Sequence, residues 1–322
     1  TLYHWELPSA LADQGGWRNR DIAAWFGDFT EAVMGRLGDR MYSVATINEF
    51  WCVSWLSHFV GAHAPGLRDI RATARAMHHV LLAHGTAIER MRGMGVQNLG
   101  AVFNMEWATP ADDSAASIEA AALYDDYYNH FFVSGAFKGC YPERVVKALG
   151  PHLPDGWQDD FRTIAAPLDW AGINYYTRSL LAGNDGPWPH LHAVEGPLEK
   201  TQMGWEVYPQ GLHDFLVRTA RDYTGDLPLY VTENGMSNAD AVLNGTVDDA
   251  ARIAYFNSHL AAVRDSIAKG VPVKGYMAWS LLDNYEWALG YEKRFGMVHV
   301  DFETLERVPK ASWYAFRDML TV

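Results

Sequence analysis

Short apolar, β-branched runs alternate with long helical patterns in this 322-residue chain, and that alternation narrows the fold to parallel strands joined by crossover helices. The pattern predicts strands over Leu2 to Trp5, Tyr42 to Thr46, Gln97 to Phe103, Trp170 to Asn174, Leu229 to Thr232 and Val273 to Trp279. Helices are predicted over Asp21 to Leu37, Ile70 to Arg92, Ser117 to Phe131 and Asp248 to Lys269, with Gly93, Gly95 and Gly270 as stops. The stretch from Ala182 to Met203 is rich in Gly, Pro and His without a period and is expected as a long surface loop. A chain of this length can bury one large core, so residues 1–322 are read as one α/β barrel domain.

Polar residues gather where the predicted strands end: His4, Asn48 with Glu49, Asn174 to Tyr176, Glu233 with Asn234, and Trp279. In an α/β barrel those ends converge on one mouth, where rigid strands hold the reacting groups. This placement carries more weight than any single motif.

Composition removes several alternatives. Acidic residues outnumber basic ones by 39 to 26, and the net charge of -13 repels a phosphate backbone, so nucleic acid is not an expected partner. The longest apolar runs fall far short of the roughly 20 residues a membrane helix needs. Two cysteines, Cys52 and Cys140, cannot make a disulfide framework and point toward a cytoplasmic setting. His78, His79, His190 and His192 lack the spacing and acidic company of a metal site, so neither metal nor cofactor is expected.

Glu49 closes the run Val44-Ala45-Thr46-Ile47-Asn48-Glu49, and Glu233 closes Leu229-Tyr230-Val231-Thr232-Glu233 before Asn234-Gly235. Either glutamate alone reads equally well as a helix cap or a salt-bridge partner. Two in matching contexts suit glycoside cleavage, which needs one carboxyl protonated to release the leaving group and one ionised.

These segments resemble glycoside hydrolase family 1, the retaining β-glucosidase and β-galactosidase family, whose fold is a (β/α)8 TIM barrel. Thr46-Ile47-Asn48-Glu49 is similar to the family's acid/base segment, with Phe50 where the family has proline, and Thr232-Glu233-Asn234-Gly235 matches its nucleophile segment unchanged. The resemblance implies Glu49 as general acid/base and Glu233 as nucleophile. It further implies sugar contacts from His4, Asn48 (at the 2-hydroxyl) and Asn174, support of the nucleophile by Tyr176, a platform under the sugar from Trp279, and contacts to the 4- and 6-hydroxyls from Glu286 and Trp287. A carboxylate at Glu286 would repel a phosphate dianion, so the implied sugar is unphosphorylated.

Set against the family, the first predicted strand corresponds to the third of eight, so only strands three to eight are expected here, as an N-terminally incomplete barrel. The absent units carry a sugar-binding glutamine and an arginine beside the nucleophile. An N-terminal segment or second chain completing the barrel is therefore an expected partner. Without that arginine the nucleophile's pKa should stand too high, and Phe50 should leave Glu49 less firmly aimed than proline would. The implied activity is hydrolysis of terminal non-reducing β-D-glycosyl residues by double displacement, with glucosides as substrates and galactosides or fucosides alongside. A transglycosidase, and a non-catalytic sugar-binding protein, remain open on the same residues.

Overall fold

The computed structural model describes residues 1–320. Five parallel strands form its centre, β1 (Val44–Asn48), β2 (Leu99–Pro110), β3 (Trp170–Gly183), β5 (Leu229–Asn234) and β6 (Val273–Ala278), paired in that order. A short strand β4 (Leu191–Val194) runs antiparallel to the end of β3, and β7 (Val298–Val300) pairs with β8 (Arg307–Pro309) apart from the main sheet.

The strand interiors are apolar on both faces, as helix-covered parallel strands must be. Ile47, Leu99, Ala101, Ile173, Leu229 and Val231 are fully buried. The helix α1 (Ile22–Leu37) packs on α2 (Ile70–Gly93), and α2 packs on β1. Asp69 starts α2 by accepting from the backbone N–H groups of Arg71 at 2.8 Å and Ala72 at 3.4 Å, which satisfies donors a helix start leaves orphaned. Met77, Leu81, Ala83, Ile88 and Met91 of α2 then fill the core. His78 and His79 belong to that core: His78 joins the Tyr141 hydroxyl at 2.9 Å and Asp160 at 2.8 Å, and Asp160 in turn pairs with Arg20.

Four expectations about the elements need correction. The predicted strand over Leu2 to Trp5 is reduced to one parallel bridge, Tyr3 to Ile47, because Trp5 turns the chain away at φ 85°. Strands β2 and β3 run well past their predicted ends at Phe103 and Asn174, pairing side by side as far as Pro110 and Leu181. Polar side chains there face the mouth of the sheet and do not mark its end. The expected loop from Ala182 to Met203 contains β4, which covers the far end of β3. The helix predicted over Ser117 to Phe131 spans Ala115–Asp125, a wide π turn over Asp126–His130, and a further helix Phe131–Lys138.

Candidate active site

Sheet register brings the polar strand ends into one layer. Asn104 on β2 lies beside Asn174 on β3, and Asn174 lies beside Glu233 on β5. Glu49 follows β1 directly, with its backbone N–H bonded to the Val102 carbonyl at 3.0 Å. Both glutamates are buried, Glu49 at 5% exposure and Glu233 at 9%.

Asn174 joins the two. Its amide nitrogen donates to Glu49 Oε1 at 2.8 Å and to Asn48 Oδ1 at 3.1 Å, and the residue pairs with Glu233 across β3 and β5. The Thr232 hydroxyl donates to Asn174 Oδ1 at 2.6 Å, fixing which end of the amide faces the carboxyls. The Tyr176 hydroxyl donates to Glu233 Oε2 at 2.6 Å. Asn234 turns away, donating to the Tyr175 carbonyl and accepting from Tyr276, and so anchors the end of β5. Gly235 completes this motif for a steric reason: a Cβ there would stand 1.9 Å from the Trp279 carbonyl oxygen.

Phe50 does not leave Glu49 loosely aimed, contrary to the expectation from its replacing proline. Its ring is buried against Phe103, Phe132 and His84. Glu49 takes a left-handed φ of 57°, outside the extended range a following proline would favour. The Asn174 amide holds the carboxyl instead, with Cys52 beside it on the same wall.

Burial raises the pKa of both carboxyls, and the charge of Glu49 pushes Glu233 further, well above the carboxylate range. Tyr176 and Asn174 pull Glu233 back in part. Among the described residues no cation pairs with Glu233. Burial and the Glu49 charge raise Glu286 to about 7.

A cavity of about 410 Å³ opens over the pair. One side is formed by His4, Trp279, Glu286 and Trp287, with the His4 ring 6.0 Å from both tryptophans. Asn48 is not on the cavity wall. Its amide bonds His4 Nε2 at 3.2 Å and so positions that ring. The wall also holds residues not expected from the sequence: Trp51, Asn104, Glu106 and Tyr128, which lie together, and Trp205, which packs on Tyr176 and Phe295. Asn104 and Glu106 were discoverable, since they alternate on the strand end where polar groups collect, but β2 had been ended at Phe103.

The model of glycosyl hydrolase family 1 matches residues 1–322. The chain belongs to that family. It is 44% identical over 98% of its length to a β-glucosidase of Agrobacterium sp., spanning 70% of that protein. It is 39% identical to β-glucosidase A of Thermotoga maritima, over 99% of this chain and 72% of that protein. The solved family 1 β-glucosidase of Thermotoga maritima superimposes with a TM-score of 0.96 at 39% identity, over 99% of this chain and 72% of that one. The same enzyme in complex with deoxynojirimycin gives 0.95 at 39% identity, with the same coverage. As a member of glycosyl hydrolase family 1, the chain has the family's TIM-barrel architecture in its curled parallel sheet and is a retaining O-glycosyl hydrolase of the β-glucosidase type. No helix among its described residues is long and apolar enough to cross a membrane.

Proposed function

We propose that Glu233 is the nucleophile and Glu49 the general acid/base in hydrolysis of terminal β-D-glucosides. The observation that carries this reading is Asn174, whose amide hydrogen-bonds Glu49 while its residue pairs with Glu233 in the β3–β5 register, so that the two carboxyls face one point. Two repelling buried carboxyls, each raised by burial, hold one proton between them more readily than two separate carboxylates would. Burial and the Glu49 charge leave Glu233 raised even with the Tyr176 phenol donating to it, so the assignment of the proton to Glu49 rests on the Thr46–Glu49 and Thr232–Gly235 segments, which are similar to the acid/base and nucleophile segments of the family. The proton then rests on Glu49, ready for the leaving oxygen.

Glu233 attacks the anomeric carbon as Glu49 protonates the departing group, and Glu49 then takes a proton from the water that releases the sugar. His4, Trp279, Glu286 and Trp287 bind the glycone, with Asn48 and Asn174 setting its 2-hydroxyl side. Trp279 and Trp287 offer aromatic faces for the apolar side of a pyranose. Glu286 suits a 6-hydroxyl and repels a 6-phosphate, and nothing in this set excludes galactosides or fucosides as slower substrates.

Residues 1–322 act in this reading as one catalytic barrel domain whose strands three to eight are present, completed by an N-terminal segment or second chain. Its support is β6, an edge of the sheet on which Met277 is 51% exposed, with Leu281 just beyond it at 53%. Hydrogen exchange tests this: amides 273–278 protected as strongly as those of β3 mean a covered edge, and exchange within minutes means an open one. The cytoplasmic placement rests on two unpaired thiols.

The catalytic assignment is tested with p-nitrophenyl and 2,4-dinitrophenyl β-glucosides. Glu233→Gln should abolish turnover of both, whereas Glu49→Gln should spare the first step only for the dinitrophenyl substrate, whose leaving group needs no proton. Equal losses on the two substrates in Glu49→Gln would remove Glu49 from the acid role.

A further inference from the structure

A third carboxyl in the cavity has no part in the scheme above. Glu106 lies two residues beyond Asn104 on β2, about 7 Å outward from the layer of Asn104, Asn174 and Glu233. The β2–β3 register shifts at this point, between Met105 and Trp107, so Glu106 stands outside the regular ladder. One side chain takes over its backbone: Asn129 Oδ1 accepts from the Glu106 N–H at 3.1 Å, and Asn129 Nδ2 donates to its carbonyl at 2.9 Å.

The carboxyl is fixed with equal care. The Tyr124 hydroxyl donates to Oε1 at 2.7 Å, and the Ser179 hydroxyl donates to the same oxygen. Among the described residues Oε2 receives no donor, while the side chain forms part of the cavity wall. A half-buried acid bulged out of its sheet, clamped through its backbone and held by one oxygen, presents the other to whatever fills the cavity.

The occupant follows from position. His4, Trp279 and Glu286 hold the glycone at the opposite side, on the first turn of the chain and beyond β6. Glu286 is perturbed by Glu49 and not by Glu106, whereas Cys52 and Tyr128, beside Glu49, feel the Glu106 charge. Glu106 thus stands outward of the acid/base, on the side to which a terminal sugar's leaving group must point.

We propose that Glu106 binds the leaving group through its free carboxyl oxygen and favours leaving groups that carry hydroxyls, such as a second sugar unit, over aryl groups. This rests on the Glu49 and Glu233 assignment. Trp51 and Tyr128, stacked at 4.2 Å between ring centres, supply an apolar wall beside it.

The test measures kcat/KM for cellobiose and for p-nitrophenyl β-glucoside in the wild type, Glu106→Gln and Glu106→Leu. The ratio of the cellobiose value to the aryl value should fall roughly 10- to 100-fold in Glu106→Leu, because its donor-bearing partner is left unpaired. Glu106→Gln keeps an acceptor for Tyr124 and Ser179, and so the fold; its ratio should fall several-fold. An unchanged ratio in both variants, or in Glu106→Gln alone where thermal melting shows Glu106→Leu unfolded, overturns the proposal while wild-type turnover of the aryl substrate leaves the catalytic pair standing. No wild-type turnover of either substrate overturns both.

Discussion

The side-chain amide of Asn174 donates to Glu49 Oε1 at 2.8 Å, and Asn174 lies beside Glu233 in the sheet register. A fully buried neutral group therefore sets the spacing of two carboxyls that repel each other. Replacing it with alanine should let them part and leave Thr232 and Asn48 without their partner. Asn174→Ala is expected to lower kcat/KM on aryl glucosides by about a hundredfold or more and to cost roughly 3 kcal/mol of stability. Chemical denaturation separates the two effects, and full activity in the variant would remove Asn174 from the site.

Tyr176 should act through the ionisation of Glu233. Its hydroxyl, 2.6 Å from Oε2, lowers a pKa that burial and Glu49 raise. Tyr176→Phe removes the donor and leaves the ring, so the Glu233 pKa rises. The nucleophile must be ionised, and the acidic limb of the kcat/KM profile should accordingly move to higher pH, with the plateau lowered about tenfold or more. A lower plateau with an unmoved limb would mean that Tyr176 contributes packing alone.

Stability should fall as pH rises from about 4.5 through 7. Glu286 titrates at about 7, and Glu49 and Glu233 are also raised. A carboxyl with a raised folded pKa binds more protons folded than unfolded in that window, so stability is fully present below the unfolded pKa and is lost as pH climbs through the folded one. Melting temperatures of the wild type and Glu286→Gln across this range check the sign: the variant should show the shallower decline, and parallel curves would contradict the shift at Glu286.

Gly235 is a steric requirement in the nucleophile segment. With a Cβ placed 1.9 Å from the Trp279 carbonyl oxygen, Gly235→Ala must push β5 and the Trp279 loop apart. The expected result is a variant destabilised by about 2 kcal/mol or more, with KM for glucosides raised because Trp279 and Glu286 move with their loop. Wild-type melting and KM together would show that the backbone yields there at no cost.

The parallel α/β architecture was legible because buried strands and amphipathic helices carry different periods. So were Glu49 and Glu233, since each closes an apolar run at the catalytic end of the sheet. Strand ends were not legible: Asn104, Glu106 and Tyr176 are polar yet lie within or between paired residues of β2 and β3, because the lining of a polar cavity breaks the apolar pattern without breaking the ladder. Asn48 was expected on the sugar, and only the fold brings its amide against His4, through the bridge between Tyr3 and Ile47 that local sequence does not encode. Cys52 read as packing, and only the fold places its thiol against Glu49.

The most direct test of the catalytic assignment is mass spectrometry after incubation with 2,4-dinitrophenyl 2-deoxy-2-fluoro-β-glucoside. Fluorine at C2 slows both steps by destabilising the oxocarbenium-like transition state, and the good leaving group lets the first step proceed, so the glycosyl-enzyme accumulates. The account predicts one fluoroglucosyl unit per chain on the peptide containing Glu233, formed in the wild type and absent in Glu233→Gln. A label on any other residue, or turnover of glucosides with no label and an α-configured first product, would contradict it.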